Sequence, residues 1–207
     1  MNEVYIYLFD DFDRLDNNFA DKNIHRLPAF RREQCAKYRQ DADKNACIIA
    51  YLLLEKGLRE QYGVTRLPTF TYNEHNKPYL ADTPHIYFNL SHCRRSVICA
   101  LADFEIGADI QDVRPYDAVV ARRVCSDEEL RQLAQCDNPA RMFCGFWVKK
   151  ESYAKANGIG IASVLKRELP NSGFVTWESE DYCISLFHST RMGEVAVNIV
   201  TCPLPIV

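Results

Sequence analysis

The sequence predicts an α+β fold of two helix-on-sheet halves, residues 1–104 and 105–207, with the active elements on the second. Strand-like and helical runs do not alternate one for one. They come as a strand, a long helix, several short strands, a group of helices and then strands again. Each half carries one dominant helical pattern, starting at Asp41 in the first and at Pro139 in the second. The 207 residues are 47% hydrophobic and 26% charged, which suits soluble globular material with a sizeable core.

The elements follow in order. Val4 to Phe9 is a short aromatic and β-branched run, hence a strand. Residues 28–39 carry Arg31, Arg32, Lys37 and Arg39 and read as a basic helical segment. From Asp41 to Tyr62 the residues Ala46, Ile49, Ala50, Leu53, Leu54 and Leu58 recur at threes and fours, the spacing of a helix with one buried face. Asp41 is placed to cap its start and Gly63 its end. Thr69–Tyr72, Ile86–Leu90, Ser96–Ala102 and Glu105–Gln111 are short strands, with a polar turn over Asn73–Pro78. Residues 116–124 and 126–135 read as helices, the second capped by Ser126 with Glu129 three residues on. Pro139 opens the main helix of the second half, and Gly158 closes it. Residues 172–200 return to strands, clearest at Tyr182–Phe187 and Val195–Val200.

Charge and cysteine usage exclude several classes. A net charge of −3 with pI near 6.0 gives no global attraction to nucleic acid. No apolar run approaches about 18 residues, so no membrane span is expected. The nine cysteines form no Cys-x-x-Cys pair, and Met-Asn-Glu-Val-Tyr lacks the basic and apolar regions of a signal peptide. Free thiols in a reducing cytosol are expected, and no zinc site.

Four motifs could carry chemistry. In Trp147-x-x-Lys150-Glu151-x-x-x-Lys155, one helical turn puts Glu151 and Lys155 on one face, with Trp147 anchoring it. In Gly107-Ala-Asp-Ile-Gln111, strand period two puts Asp109 and Gln111 on one face and Ala108 and Ile110 on the other. Asp109 with a distant helical Glu could hold a hard cation, because magnesium needs few protein carboxylates when phosphates and waters complete its shell. Phe88-Asn-Leu-Ser-His92 offers short polar groups at a strand end, and Asn76-Lys77-Pro78 makes a turn.

In this order and spacing the motifs resemble the 4′-phosphopantetheinyl transferases, in particular the larger two-half type that activates surfactin synthetase. The resemblance implies two pseudo-symmetric halves with coenzyme A in the cleft between them. It implies transfer of the phosphopantetheine arm to a serine of an acyl or peptidyl carrier protein, with release of 3′,5′-ADP. Carried over by motif, Asp109 and Glu151 ligate magnesium or manganese, and Lys155 contacts the phosphates. Ser91 and His92 hold the nucleotide end, Lys77 and Pro78 flank the adenine, Lys44 contacts a coenzyme phosphate, and Lys150 faces the phosphates or the carrier. Glu151 doubles as the base for the serine hydroxyl, directly or through water.

Gln111 replaces an acid usual in the family, which weakens but does not abolish a third metal contact. Carrier domains are acidic around their serine, so Arg94, Arg95, Arg114, Arg122 and Arg123 are candidates for docking. A monomer is expected, since one chain supplies both walls of the cleft. Two alternatives stay open: a degenerate member that binds coenzyme A without transfer, and an unrelated metal-dependent nucleotide hydrolase.

Overall fold

The computed structural model describes residues 2–66, 68–189 and 195–206. Of the strand-like stretch expected over 172–200, residues 190–194 lie outside the described residues.

Strand β1 (Asn2–Phe9) is followed by helices α1 (Phe19–Asn23), α2 (Ala29–Ala36) and α3 (Asp41–Tyr62). The strands β2 (Phe70–Tyr72) and β3 (Pro78–Leu80) form a separate hairpin, and β4 (Tyr87–His92), β5 (Val97–Ala102) and β6 (Ile106–Asp112) follow. Then come α4 (Ala118–Val124), α5 (Asp127–Gln135) and α6 (Pro139–Ala156), and last β7 (Phe174–Glu178), β8 (Tyr182–His188) and β9 (Val195–Thr201). The expected α+β class is what the chain adopts.

Two sheets result. The first has the order β4-β5-β1-β9, the second β6-β8-β7. Strand β9, from the end of the described chain, lies parallel to β1 and completes the sheet of the first half. Both faces of the first sheet are covered, and period two shows how. Tyr7, Phe9, Val97, Cys99 and Leu101 turn toward α3, while Val4, Ile6, Leu8, Ile98, Ala100 and Ala102 turn toward Ile106, Ala108, Ile110 and Leu186 of the second sheet. A helix on one side and a sheet on the other explain why β5 is buried along its whole length.

The helix bounds follow local chemistry. Helix α3 ends at Gly63, whose φ of 65° needs a residue without Cβ strain. Its N-cap position is Gln40 rather than Asp41, and no side chain caps it. Asp41 instead stands in the first turn, where a carboxylate favours the helix dipole. Ser126 and Glu129 form the expected capping box on α5, and Asn138 caps α6 ahead of Pro139.

Helix α6 packs across β6 and β8 at very short range. A Cβ built on Gly107 would stand 2.0 Å from the Ser152 carbonyl oxygen and 2.3 Å from the Ala156 nitrogen, both backbone atoms. Ser152 hydrogen-bonds Ser185 of β8 through their hydroxyls at 2.9 Å. Gly107 therefore sets the spacing between the strand and the helix. Gly107→Ala should lower stability by about 1–3 kcal/mol by overpacking, seen as a reduced thermal midpoint, with a larger fractional loss of any activity that needs β6 and α6 in register. A variant with unchanged midpoint would show that the helix yields easily here.

Candidate functional site

The two sheets meet where the edge strands β4 and β6 run side by side without a backbone ladder between them. Side-chain to backbone bonds take the place of that ladder. Asn89 Oδ1 accepts from the Ala108 amide at 3.1 Å, and Ser91 Oγ accepts from the Ile110 amide at 3.3 Å. Further along, the Arg94 amide donates to Asp112 Oδ2 at 3.2 Å. Buried amides need partners, and the first two bonds supply them for Ala108 and Ile110.

Asp109 sits in this seam, on the face of β6 opposite Ala108 and Ile110 and two residues beyond Gly107. Because Gly107 lets α6 approach, the helix end reaches Asp109. Lys155 Nζ lies 2.7 Å from Asp109 Oδ1, and it also donates to Ser91 Oγ at 3.0 Å and to the Ala108 carbonyl at 3.3 Å. Ser91 donates to Asp109 Oδ1 at 2.6 Å. The result is a compact Ser91–Asp109–Lys155 unit drawn from β4, β6 and α6. Asp109 is 5% exposed, and its second oxygen, Oδ2, is buried with no hydrogen-bond partner.

Glu151 stands one helical turn before Lys155 and is half-buried. Burial raises its pKa above the ordinary carboxylate range, the Lys155 ammonium works against that, and the Asp109 charge adds to it. The opposed effects of Lys155 and Asp109 place both charges near Glu151. Gln111 continues the Asp109 face of β6 and is partly exposed. Among the described residues no group of three or more His, Cys, Asp or Glu is placed to hold a metal. Two carboxylates and an amide, with a buried carboxylate oxygen left over, suit a hard cation completed by water and phosphate rather than a soft one.

Ser91 and His92 point opposite ways, as strand neighbours must. Ser91 faces the Asp109 carboxylate. His92 reaches a polar cleft of about 710 Å³ that is also bounded by Asp13, Asp41, Asp43, Arg94 and Arg95. Desolvation of its ring, and then the Lys155 ammonium, hold its pKa below the usual histidine range, with Asp43 and Asp109 opposing. Lys44 stands in the first turn of α3, beside this cleft, with its ammonium 2.9 Å from Asp41.

Two expected ligands have other work. Lys77 is 7% exposed, and its ammonium pairs with Glu105, donates to the Ala156 carbonyl at 2.8 Å and lies over the Tyr79 ring. It joins the β2–β3 hairpin to the C-terminus of α6, where carbonyls attract a cation. Asn73 adds a bond to the Gly158 carbonyl at 2.9 Å, and Asn76 turns the hairpin with φ of 63°. Pro78 opens β3, half-buried. Lys150 does not join the site. It is fully buried, 3.0 Å from Glu129 Oε2, and donates to the Arg167 carbonyl at 2.8 Å. One residue along a helix is a large rotation, and Lys150 takes the direction of α5. Asn89 and Gly107 stand in the motifs but were given no role at the site; for Asn89, a polar side chain at every second position of an edge strand was the available signal.

A model of the 4′-phosphopantetheinyl transferase superfamily matches residues 105–198. The chain is 30% identical over 158 residues to the 4′-phosphopantetheinyl transferase Sfp of Bacillus subtilis strain 168, across 73% of this chain and 70% of that protein. It is 29% identical over 189 residues to another 4′-phosphopantetheinyl transferase of Bacillus subtilis, across 88% and 84%. To the 4′-phosphopantetheinyl transferase psf-1 of Bacillus pumilus it is 29% identical over 174 residues, across 81% and 72%.

The raised pKa of Glu151 has a consequence for stability. A carboxylate that is harder to ionise when folded costs nothing below its unfolded pKa, near the ordinary value of 4.5. The cost grows as pH rises from there to the folded pKa and keeps its full value above it. In metal-free buffer Glu151→Gln should match the parent's unfolding free energy below that window and exceed it at neutral pH. Denaturant titrations at several pH values measure the difference, and a pH-independent difference would contradict a desolvated Glu151.

Proposed function

The chain belongs to the 4′-phosphopantetheinyl transferase superfamily, and from that premise we propose that it moves the 4′-phosphopantetheine group of coenzyme A onto a serine of an acyl or peptidyl carrier protein. The observation that supports this most directly is the Ser91–Asp109–Lys155 unit with Glu151 beside it and Asp109 Oδ2 unpartnered. Asp109 and Glu151, with Gln111 as a weaker third ligand, would hold magnesium, or manganese in its place. When bound, the metal supplies charge neutralisation at the pyrophosphate.

The protein's own groups do the rest. Lys155 has its ammonium at the carboxylate that faces the phosphates, so a phosphate oxygen can exchange for one of its present partners. The serine oxygen of the carrier forms a bond to the phosphorus that bears pantetheine. The bond from that phosphorus to the bridging oxygen breaks, and 3′,5′-ADP leaves with the electron pair. Glu151 accepts the serine proton, directly or through a water, and burial has moved it toward the basicity such a step needs. His92, on the polar cleft, and Lys44, in the first turn of α3, would hold the nucleotide phosphate. The hairpin bearing Lys77 and Pro78 would wall the adenine.

For the carrier, helix α4 offers an exposed basic surface. Arg95 and Arg114 are paired with Asp13 and Asp112. Arg122 and Arg123 are exposed in the last turn of α4, beside the exposed Val119 and Val120. Both walls of the site come from one chain, which supports a monomeric enzyme. Among the described residues no helix is long and apolar enough to cross a membrane. The nine free cysteines are compatible with a reducing, cytoplasmic setting.

Incubation with magnesium, coenzyme A and an apo carrier domain should add one phosphopantetheine to the carrier, read by mass spectrometry. Glu151→Ala should abolish the gain while the protein stays folded. Coenzyme binding without carrier labelling would identify a degenerate member, and coenzyme breakdown without labelling a hydrolase. Gln111→Glu should lower the magnesium concentration that gives half-maximal rate, roughly tenfold per 1.4 kcal/mol of added interaction. Identical magnesium dependence would remove Gln111 from the metal shell.

A further inference from the structure

Lys150 is the cation that the site does not use, and its surroundings are unusual. A fully buried ammonium needs partners, because desolvation penalises the charge. Lys150 has two, and they belong to different segments. One is Glu129 on α5, at 3.0 Å. The other is the carbonyl of Arg167, at 2.8 Å, in the loop after α6. Glu129 Oε2 is itself committed, accepting the Ser126 amide at 2.7 Å in the capping box that starts α5. The adjoining Lys166 donates its amide to the Val124 carbonyl at the end of α4, at 2.8 Å. The ammonium thus joins α6, the start of α5 and the 166–167 loop at one point.

Helix geometry gives that point a direction. At about 100° per residue, Glu151 and Lys155 lie roughly 100° and 140° round α6 from Lys150, and Ser152 roughly 200°. Ser152 is also fully buried and bound to Ser185 of β8. Glu151 and Lys155 therefore occupy the arc between two buried polar anchors, one toward α5 and one toward the second sheet. Packing of aliphatic side chains alone tolerates small rolls of a helix; two directional anchors on either side of the arc do not.

We propose that Lys150 is a positioning residue: through Glu129 it fixes the roll of α6 and so holds Glu151 and Lys155 against Asp109. It touches neither coenzyme nor carrier. The inference rests on the transfer reading for its assay, and the parent enzyme serves as the control: a parent that labels no carrier defeats that reading and leaves the anchor to be judged from magnesium-dependent coenzyme A binding by calorimetry.

The test compares Lys150→Met, Glu129→Gln and the double variant. Lys150→Met leaves the half-buried Glu129 without its counter-ion and should melt lower. The double variant removes both charges, while the amide oxygen introduced by Glu129→Gln still accepts from the Ser126 amide, so its thermal midpoint should return toward the parent. Its kcat should nevertheless stay at least tenfold down, whether or not the KM for coenzyme A rises with it. A double variant that recovers kcat together with stability would overturn the proposal, since the pair would then be structural only. So would a large rise in the KM for coenzyme A at constant kcat, which would make Lys150 a phosphate ligand. If no carrier is labelled, the double variant should show weakened magnesium-dependent coenzyme A binding at a parent-like midpoint; unchanged binding would overturn the proposal.

Discussion

Everything at the site depends on the unladdered seam between β4 and β6. Two edge strands that ran together as one sheet would spend their amides on each other and leave no room for side chains between them. Here the amides of Ala108 and Ile110 are taken by Asn89 and Ser91. That substitution keeps the strands apart by the length of a side chain and puts Asp109 into the gap. Ser91 works at its full capacity, accepting from Ile110 and Lys155 and donating to Asp109. Loss of its hydroxyl would leave a buried amide unpaired and loosen the carboxylate at once.

The charges in the seam are held in tension rather than at rest. Lys155 balances one oxygen of Asp109, while the other has nothing. Glu151 is pushed toward its neutral form by burial and toward its charged form by Lys155. Such a cluster gains from an added cation and an added polyanion together more than from either alone. A site stabilised only by its own ion pairs would have no reason to leave a carboxylate oxygen buried and bare.

Much of this was legible in the sequence where local physics is decisive. The bounds of α3 followed from its spacing and Gly63, the capping box from Ser126 and Glu129, and the face of Asp109 from strand alternation. What stayed hidden depends on partners distant in sequence. A strand pattern at Val195–Val200 does not say which sheet it joins, and β9 joins that of the first half. Lys150 and Lys155 are chemically alike and five positions apart; only the packing of α5 decides which ammonium is buried. Lys77 sits in a turn that reads as exposed, yet it is buried because the hairpin folds onto the end of α6. Gly107 gave no signal beyond being small, since the backbone it admits belongs to another element.

Strand β9 lies parallel to β1, pairing Asn2 with Val195 and Leu8 with Thr201. Strand β1 must therefore wait for β9 before its sheet is whole. At roughly 5–20 residues per second on the ribosome, that wait is on the order of 10–40 s. During it β1 presents an open edge to any extended chain nearby. Parallel pairing across such a separation is also slow to form once the strand arrives. Among the described strands β1 is thus exposed to mispairing for a long time before its second partner arrives.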